Sequence, residues 1–238
     1  MLLRRTRPAL LALLAALALG LAACGGSDNN AGMETTTAPA QTGGMHSGHA
    51  AMADAGMDPA VALRSTLERA LGEHAVLAMI ATQKGYAGDA DFEAAAKALD
   101  RNSVEVAAAI GSVYGKEAGK EFLDGPNMWR AHIGFFVDYT VGLATKNTAM
   151  QEKAVGDLMG YIETNANFLA RATGLPLASM RASITEHVMQ LKGQIDAYAA
   201  GNYDRAYRLF RHAYHHMVMT ADVLADAIVK QNPEMFSK

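Results

Sequence analysis

From Asp58 onward apolar side chains return every three or four residues, and no stretch alternates with the two-residue period of a strand. Leu63, Leu67, Leu71, Ala78 and Ala81 form the first stripe. Asp58 followed by Pro59 supplies an N-cap and a proline at the first helical position, and Gly85 is expected to stop the helix. A second helix is predicted from about Asp91 to Tyr114, closed by Gly115, and Gly125-Pro126 breaks the chain again. A third is predicted from about Asn127 to Thr145. Thr148 with Gln151 has the spacing of a capping box and opens a fourth, which ends near Gly174. Pro176 starts a fifth, running to about Ala200, and Gly201-Asn202 precedes a sixth that ends before Pro233. Short connections make sequential helices antiparallel, so residues 58–238 read as an all-α, antiparallel bundle of about six helices.

Residues 1–57 follow another pattern. Arg4, Arg5 and Arg7 precede an apolar run from Leu10 to Leu21, and Leu21-Ala22-Ala23-Cys24 closes it. The run is too short for a membrane span and has the flanks of a signal peptide. It resembles a bacterial lipoprotein signal. That resemblance implies removal of residues 1–23, a palmitate-type lipid on the thiol of Cys24, and an extracytoplasmic protein anchored to a bacterial membrane. Residues 24–57 are rich in Gly, Ser, Thr, Asn and Ala and read as a flexible tether. Cys24 is the only cysteine. No intramolecular disulfide is therefore possible, and the roughly 180 residues after the tether must hold themselves together by their core.

Charge and motifs then exclude several classes. A net charge of −3 leaves no basic footprint for nucleic acid. The chain has no Gly-rich phosphate loop after a strand, no Cys-x-x-Cys and no Gly-x-Ser-x-Gly. No serine sits in a turn context that would activate it, so a role other than catalysis is the more expected one, with an enzyme or oxygen-binding protein built on a hemerythrin-like iron centre as an alternative.

What stands out is the placement of histidine. Glu73-His74 in the first helix is repeated as Glu186-His187 in the fifth. His132-x5-Asp138 in the third is repeated as His216-x5-Asp222 in the sixth. A weaker likeness joins Leu99-Asp100-Arg101-Asn102 to Ile162-Glu163-Thr164-Asn165, which makes a weak, permuted internal pseudo-repeat. His74 lies between Leu71 and Leu77/Ala78, and His187 lies within the stripe Met180, Ile184, Leu191 and Ile195. His132 shares a face with Trp129, Ile133 and Phe136, and His216 with Ala213, Met217 and Thr220. All four are expected to face the core, where an imidazole without partners costs about 1–3 kcal/mol. Facing helices of a bundle bring such imidazoles onto metal ions. His74, His132, His187 and His216 are thus the candidate ligands of one or two sites. Glu73 and Glu186 stand about 100° around the helix from their histidines. With Asn102 and Asn165 they are candidates to orient the rings from behind. Asp138 and Asp222 point elsewhere and are expected at interhelical contacts. The competing reading makes each imidazole a buried, hydrogen-bonded group of an interaction or structural module, with Asn102, Asn165, Tyr114, Tyr139 or Tyr161 as partner.

The metal is suggested by the tether. A tether has no core for methionine to fill, yet it carries Met45, His46, His49 and Met52, with Met33 and Met57 nearby. Thioether with imidazole suits Cu(I), and imidazole suits Cu(II), zinc and iron as well. The segment resembles the Met/His-rich stretches of bacterial extracytoplasmic copper-handling proteins, which implies sequestration or relay of copper. A hemerythrin-like iron centre, which combines His with Asp and Glu, is the alternative metal site. His212 and His216, four apart on one face, could also chelate, although a solvent-facing edge suits His212 and His215 better.

Residues 64–236 as a whole resemble a family of bacterial extracytoplasmic helical-bundle lipoproteins, some of whose members are associated with copper amine oxidase-like domains. The resemblance runs through Leu63-Arg64, Glu73-His74, Ala98-Leu99-Asp100-Arg101-Asn102-Ser103, Tyr114-Gly115, Trp129-x-x-His132-Ile133 and His216-Met217. It implies the same helical domain and the same membrane address.

Overall fold

A computed structural model of the chain describes residues 56–237. The predicted signal segment, Cys24 and the tether ligands Met45, His46, His49 and Met52 lie outside the described residues. The helices are α1 (Pro59–Ala87), α2 (Phe92–Tyr114), α3 (Lys116–Asp124), α4 (Trp129–Thr145), α5 (Thr148–Thr173), α6 (Leu177–Ala199), α7 (Tyr203–Gln231) and α8 (Pro233–Phe236). No strand occurs among the described residues, and no helix among them is long and apolar enough to cross a membrane.

Side-chain registers give the helix directions. Arg69 reaches Glu105 while Phe92 packs on Gly85, so α1 and α2 run antiparallel. Arg64 pairs with Asp222 and Gly72 meets Tyr214, which sets α1 antiparallel to α7. Gln151 meets Gly142 and Tyr161 meets His132, which does the same for α4 and α5. Ser183 bonds Thr220 and Gly193 meets Leu209, so α6 and α7 are also antiparallel. α1 packs against α2, α4, α6 and α7, and is the axis of the bundle. Leu67, Val106, Leu158, Ile184, Val188, Leu224 and Ile228 fill the common core. Each such side chain contributes about 1.5–3 kcal/mol by leaving water.

Three local expectations are corrected. α1 does not stop at Gly85 but runs to Ala87, and Gly88 is the cap, with φ 69°. Its N–H donates to the Gly85 carbonyl, and the left-handed conformation suits glycine best. Gly85 is small for another reason: a Cβ there would stand 3.0 Å from the Phe92 ring. The Thr148/Gln151 capping box is displaced by one residue. Asn147 is the N-cap, accepting from the Met150 N–H at 3.1 Å, and Gln151 instead donates to the Gly142 carbonyl at 2.9 Å. Finally, the segment between Gly115 and Gly125 forms α3, which the apolar pattern did not show. Its Lys- and Glu-rich sequence carries one large buried side chain, Phe122. Phe122 stacks on Trp129 with ring centroids 4.9 Å apart, so α3 braces the residue that opens α4.

Candidate metal centre

α1, α4 and α6 touch one another pairwise, and each carries one histidine to the common line of contact. His74 sits midway along α1 in a run that also buries Leu71, Ala75 and Ala78. His132 lies in the first turns of α4, and His187 lies midway along α6 beside Val188. Their residual exposures are 0 %, 1 % and 5 %. Ring centroids are 5.5 Å apart for His74–His132, 5.7 Å for His74–His187 and 6.1 Å for His132–His187. One nitrogen of each ring lies within 4.8 Å of the other two. Ligands bound at about 2.0–2.1 Å to one ion stand about 3.5 Å apart. Closing the set by about 1 Å would therefore make it a coordination shell. Three close, buried histidines able to hold a metal ion are the central feature of this fold.

The polar atoms of the trio support this. Among the described residues neither nitrogen of His187 has a hydrogen-bond partner, and His74 has none beyond the side chain of Asn102. His132 differs, because its Nδ1 meets the Trp129 carbonyl one turn back. A carbonyl only accepts, so Nδ1 carries the proton and Nε2 presents its lone pair. Burial pushes all three side chains toward the neutral form. His74 lies well below the ordinary imidazole value, through burial and then the nearby His132 and His187, with Asn102 acting in the opposite sense. Burial, followed by His187, lowers His132 to about 3, against the bond to Trp129. Burial, followed by His216, lowers His187 to about 4. Neutral imidazole is the ligand form, so no proton has to leave before an ion binds at neutral pH.

Aromatic rings wall the trio. Trp129 lies 4.6 Å from His74 and 4.9 Å from His132, and Tyr161 stacks on His132 at 4.4 Å with 15° between the planes. The sequence reading placed Trp129 on the face of His132 without giving it a role. Its spacing of one helical turn ahead of His132 was the available signal. No carboxylate joins the cluster among the described residues.

The other sequence candidates fall into place around it. Asn102 is buried; its Nδ2 donates to the Ala70 carbonyl at 3.0 Å and to Glu73 Oε2 at 3.2 Å, and its side chain also interacts with His74. Glu73 thus acts behind Asn102 rather than on the histidines. Glu186 faces the other way, with Oε1 accepting from Gln190 and Oε2 3.6 Å from His216 Nδ1. Asn165 is buried, and its Nδ2 has no partner among the described residues. His216 is not one of the converging set. It is half-buried on α7, with Nε2 2.9 Å from the Ser183 carbonyl. His212 and His215 are exposed. Asp222 pairs with Arg64 across α1 and α7 at 2.7 Å, an interhelical contact as expected. Tyr114 and Tyr139 donate to Gln231 and Asp196, so neither serves a histidine.

No protein-family model, curated protein or solved structure matches this chain. The reading of the site therefore rests on its chemistry.

Proposed function

We propose that the protein holds a copper ion, in its cuprous state, between α1, α4 and α6, and serves to sequester or relay copper outside the cytoplasm. The observation that carries this is the convergence of three buried, neutral imidazoles without a carboxylate beside them. Burying an ion in an apolar core costs more the more net charge it retains. Three neutral ligands cancel none of that charge. A monovalent ion is therefore favoured over a divalent one, and imidazole is a good ligand for copper. A hemerythrin-like iron centre draws on carboxylates, which this cluster lacks. The tether completes the reading on sequence grounds: Met45, His46, His49 and Met52 supply thioethers and imidazoles for capture, and a lipid on Cys24 would keep the protein at a membrane surface.

The test is metal content by mass spectrometry on chains beginning at Gly25 and at Asp58, each exposed to Cu(I), Cu(II), Zn(II) and Fe(II) and desalted. Copper is expected in both, and is expected to leave the bundle when His74, His132 and His187 are all changed to alanine. Copper held only by the longer chain would move the chemistry to the tether. Iron in both would favour the hemerythrin-like centre, and no metal in either would make the bundle an interaction module with buried histidines.

A further inference from the structure

Two acceptors confront each other where α6 packs on α7. His216 Nε2 lies 2.9 Å from the Ser183 carbonyl and 3.3 Å from the Ser183 hydroxyl. A carbonyl only accepts, so Nε2 carries the proton and Nδ1 presents a lone pair. Across 3.6 Å from Nδ1 stands Glu186 Oε2. The carboxylate is held in place by its other oxygen, Oε1, which accepts from Gln190 Nε2 at 2.8 Å, one turn along α6. A lone pair and a carboxylate oxygen repel unless a cation lies between them. A proton on Nδ1 would draw the pair to the roughly 2.7–2.9 Å of a charge-assisted hydrogen bond. Two ligand atoms bound to one ion stand about 3.5 Å apart, which is close to the separation found. A metal-bound histidine commonly gives its other N–H to a backbone carbonyl, as His216 gives Nε2–H to Ser183. The His216 side chain is 15 % exposed and that of Glu186 58 %, so an ion reaches the pair from solvent.

A third donor stands one turn before His216 on α7. His212 is exposed, and histidines four apart on a helix share a face and chelate. It stands outside 4.8 Å of the pair, and rotation about its own side-chain bonds is the movement required. We propose that His216 Nδ1, Glu186 Oε2 and His212 bind a divalent ion of the zinc and cupric class at the α6–α7 seam, with water completing the shell. Imidazole suits both ions, and the carboxylate offsets half of their charge. The inference goes beyond the copper reading of the buried trio and does not depend on it. Glu186 and His187 are neighbours, so α6 carries a ligand of each site at adjacent positions. Because its ligands come from two helices, the seam ion also ties α6 to α7.

Zn(II) is the probe, since it has no redox chemistry. The full chain, stripped of metal, is titrated with Zn(II) by calorimetry and melted with and without it. Tether and trio are the same in every variant, so differences between variants report the seam alone. Glu186→Gln, His216→Ala and His212→Ala are each expected to weaken one zinc site at least about ten-fold, the loss that follows from disturbing even an outer partner of a bound ion. Each is also expected to reduce the rise in melting temperature that zinc produces. His215→Ala is the control: it removes an exposed histidine about 100° around α7 from His216, and it should leave zinc binding unchanged. His212→Ala alters only an exposed side chain and keeps the test decisive if His216→Ala does not fold. Zinc binding that ignores the Glu186, His212 and His216 changes would overturn the inference and leave a proton-bridged Glu186–His216 pair. So would a loss in His215→Ala equal to that in His212→Ala, or no zinc bound below about 1 mM.

Discussion

The same helix pair carries two polar clusters, and they obey opposite rules. Seven residues along α4 from His132 stands Tyr139, and nine along α6 from His187 stands Asp196. Here every group has a partner. The Tyr139 hydroxyl donates to Asp196 at 2.6 Å, Lys192 donates to the same carboxylate at 2.8 Å, and the Lys192 ammonium lies 4.9 Å over the Tyr139 ring. The histidine cluster is more deeply buried and leaves both ring nitrogens of His187 unpaired among the described residues, while His74 has only the Asn102 side chain beside it. The Gln194 amide also has no partner among the described residues, but it stands outside the histidine group. A helical core can satisfy its polar groups, as the tyrosine cluster demonstrates. Where several stay unsatisfied together and offer one kind of ligand atom, the fold is built around something other than its own stability.

The comparison breaks most visibly on metal. Replacing any one of His74, His132 and His187 by alanine is expected to lower Cu(I) affinity at least 100-fold in a competition assay with a chelator, since two imidazoles no longer enclose the ion. Tyr139→Phe should leave that affinity unchanged. Equal losses for both changes would show that copper binds elsewhere.

The two clusters should also respond to apolar substitution with opposite signs. In the metal-free protein, His187→Leu removes unpaired polar atoms and keeps a similar volume. It is expected to raise stability by about 1–3 kcal/mol in urea unfolding. Tyr139→Phe removes a satisfied hydrogen bond and is expected to lower it by about 1 kcal/mol. A loss of stability in the leucine variant would mean that the His187 imidazole is bonded after all.

Acid sharpens the contrast. The folded-state values of His132, about 3, and His187, about 4, lie below the ordinary value of 6.5 that unfolding restores. Below pH 6.5 the unfolded chain therefore binds protons that the folded one refuses. Stability of the metal-free bundle should be complete above about pH 6.5 and fall as pH drops toward 4 and 3, each titrating histidine adding a slope of about 1.4 kcal/mol per pH unit. Urea midpoints measured across this range check the slope, and His187→Leu should flatten it. A flat profile in the native chain would contradict the neutral trio. The smallest effect is expected at the surface. Arg64→Ala breaks the solvent-exposed pairs with Asp222 and Asp226 and should move the urea midpoint less than any of the buried changes.

Much of this was legible before the structure. The caps at Asp58 and Gly115 and the stripe through Leu67 and Leu71 belong to local rules, and the helices they announce are present. The same rules failed where packing decided. Gly85 reads as a stop but is there for the Phe92 ring, and α3 has little apolar periodicity because it buries chiefly Phe122. For the site, spacing put four histidines on inward faces, and three converge. His216 differs from His132 in nothing that a helical wheel registers, yet α7 sets it at an edge beside Ser183 and Glu186.

The sequence by itself determined the helices, their order and which face of each would turn inward, because those follow from a 3.6-residue period and from caps within a few residues. Only the tertiary structure decided which inward faces meet at one level. That depends on how α1, α4 and α6 slide and rotate against one another, which is set by the volumes of all the side chains between them. The rise of 1.5 Å per residue means that a shift of a single turn would have moved a histidine out of reach of the other two.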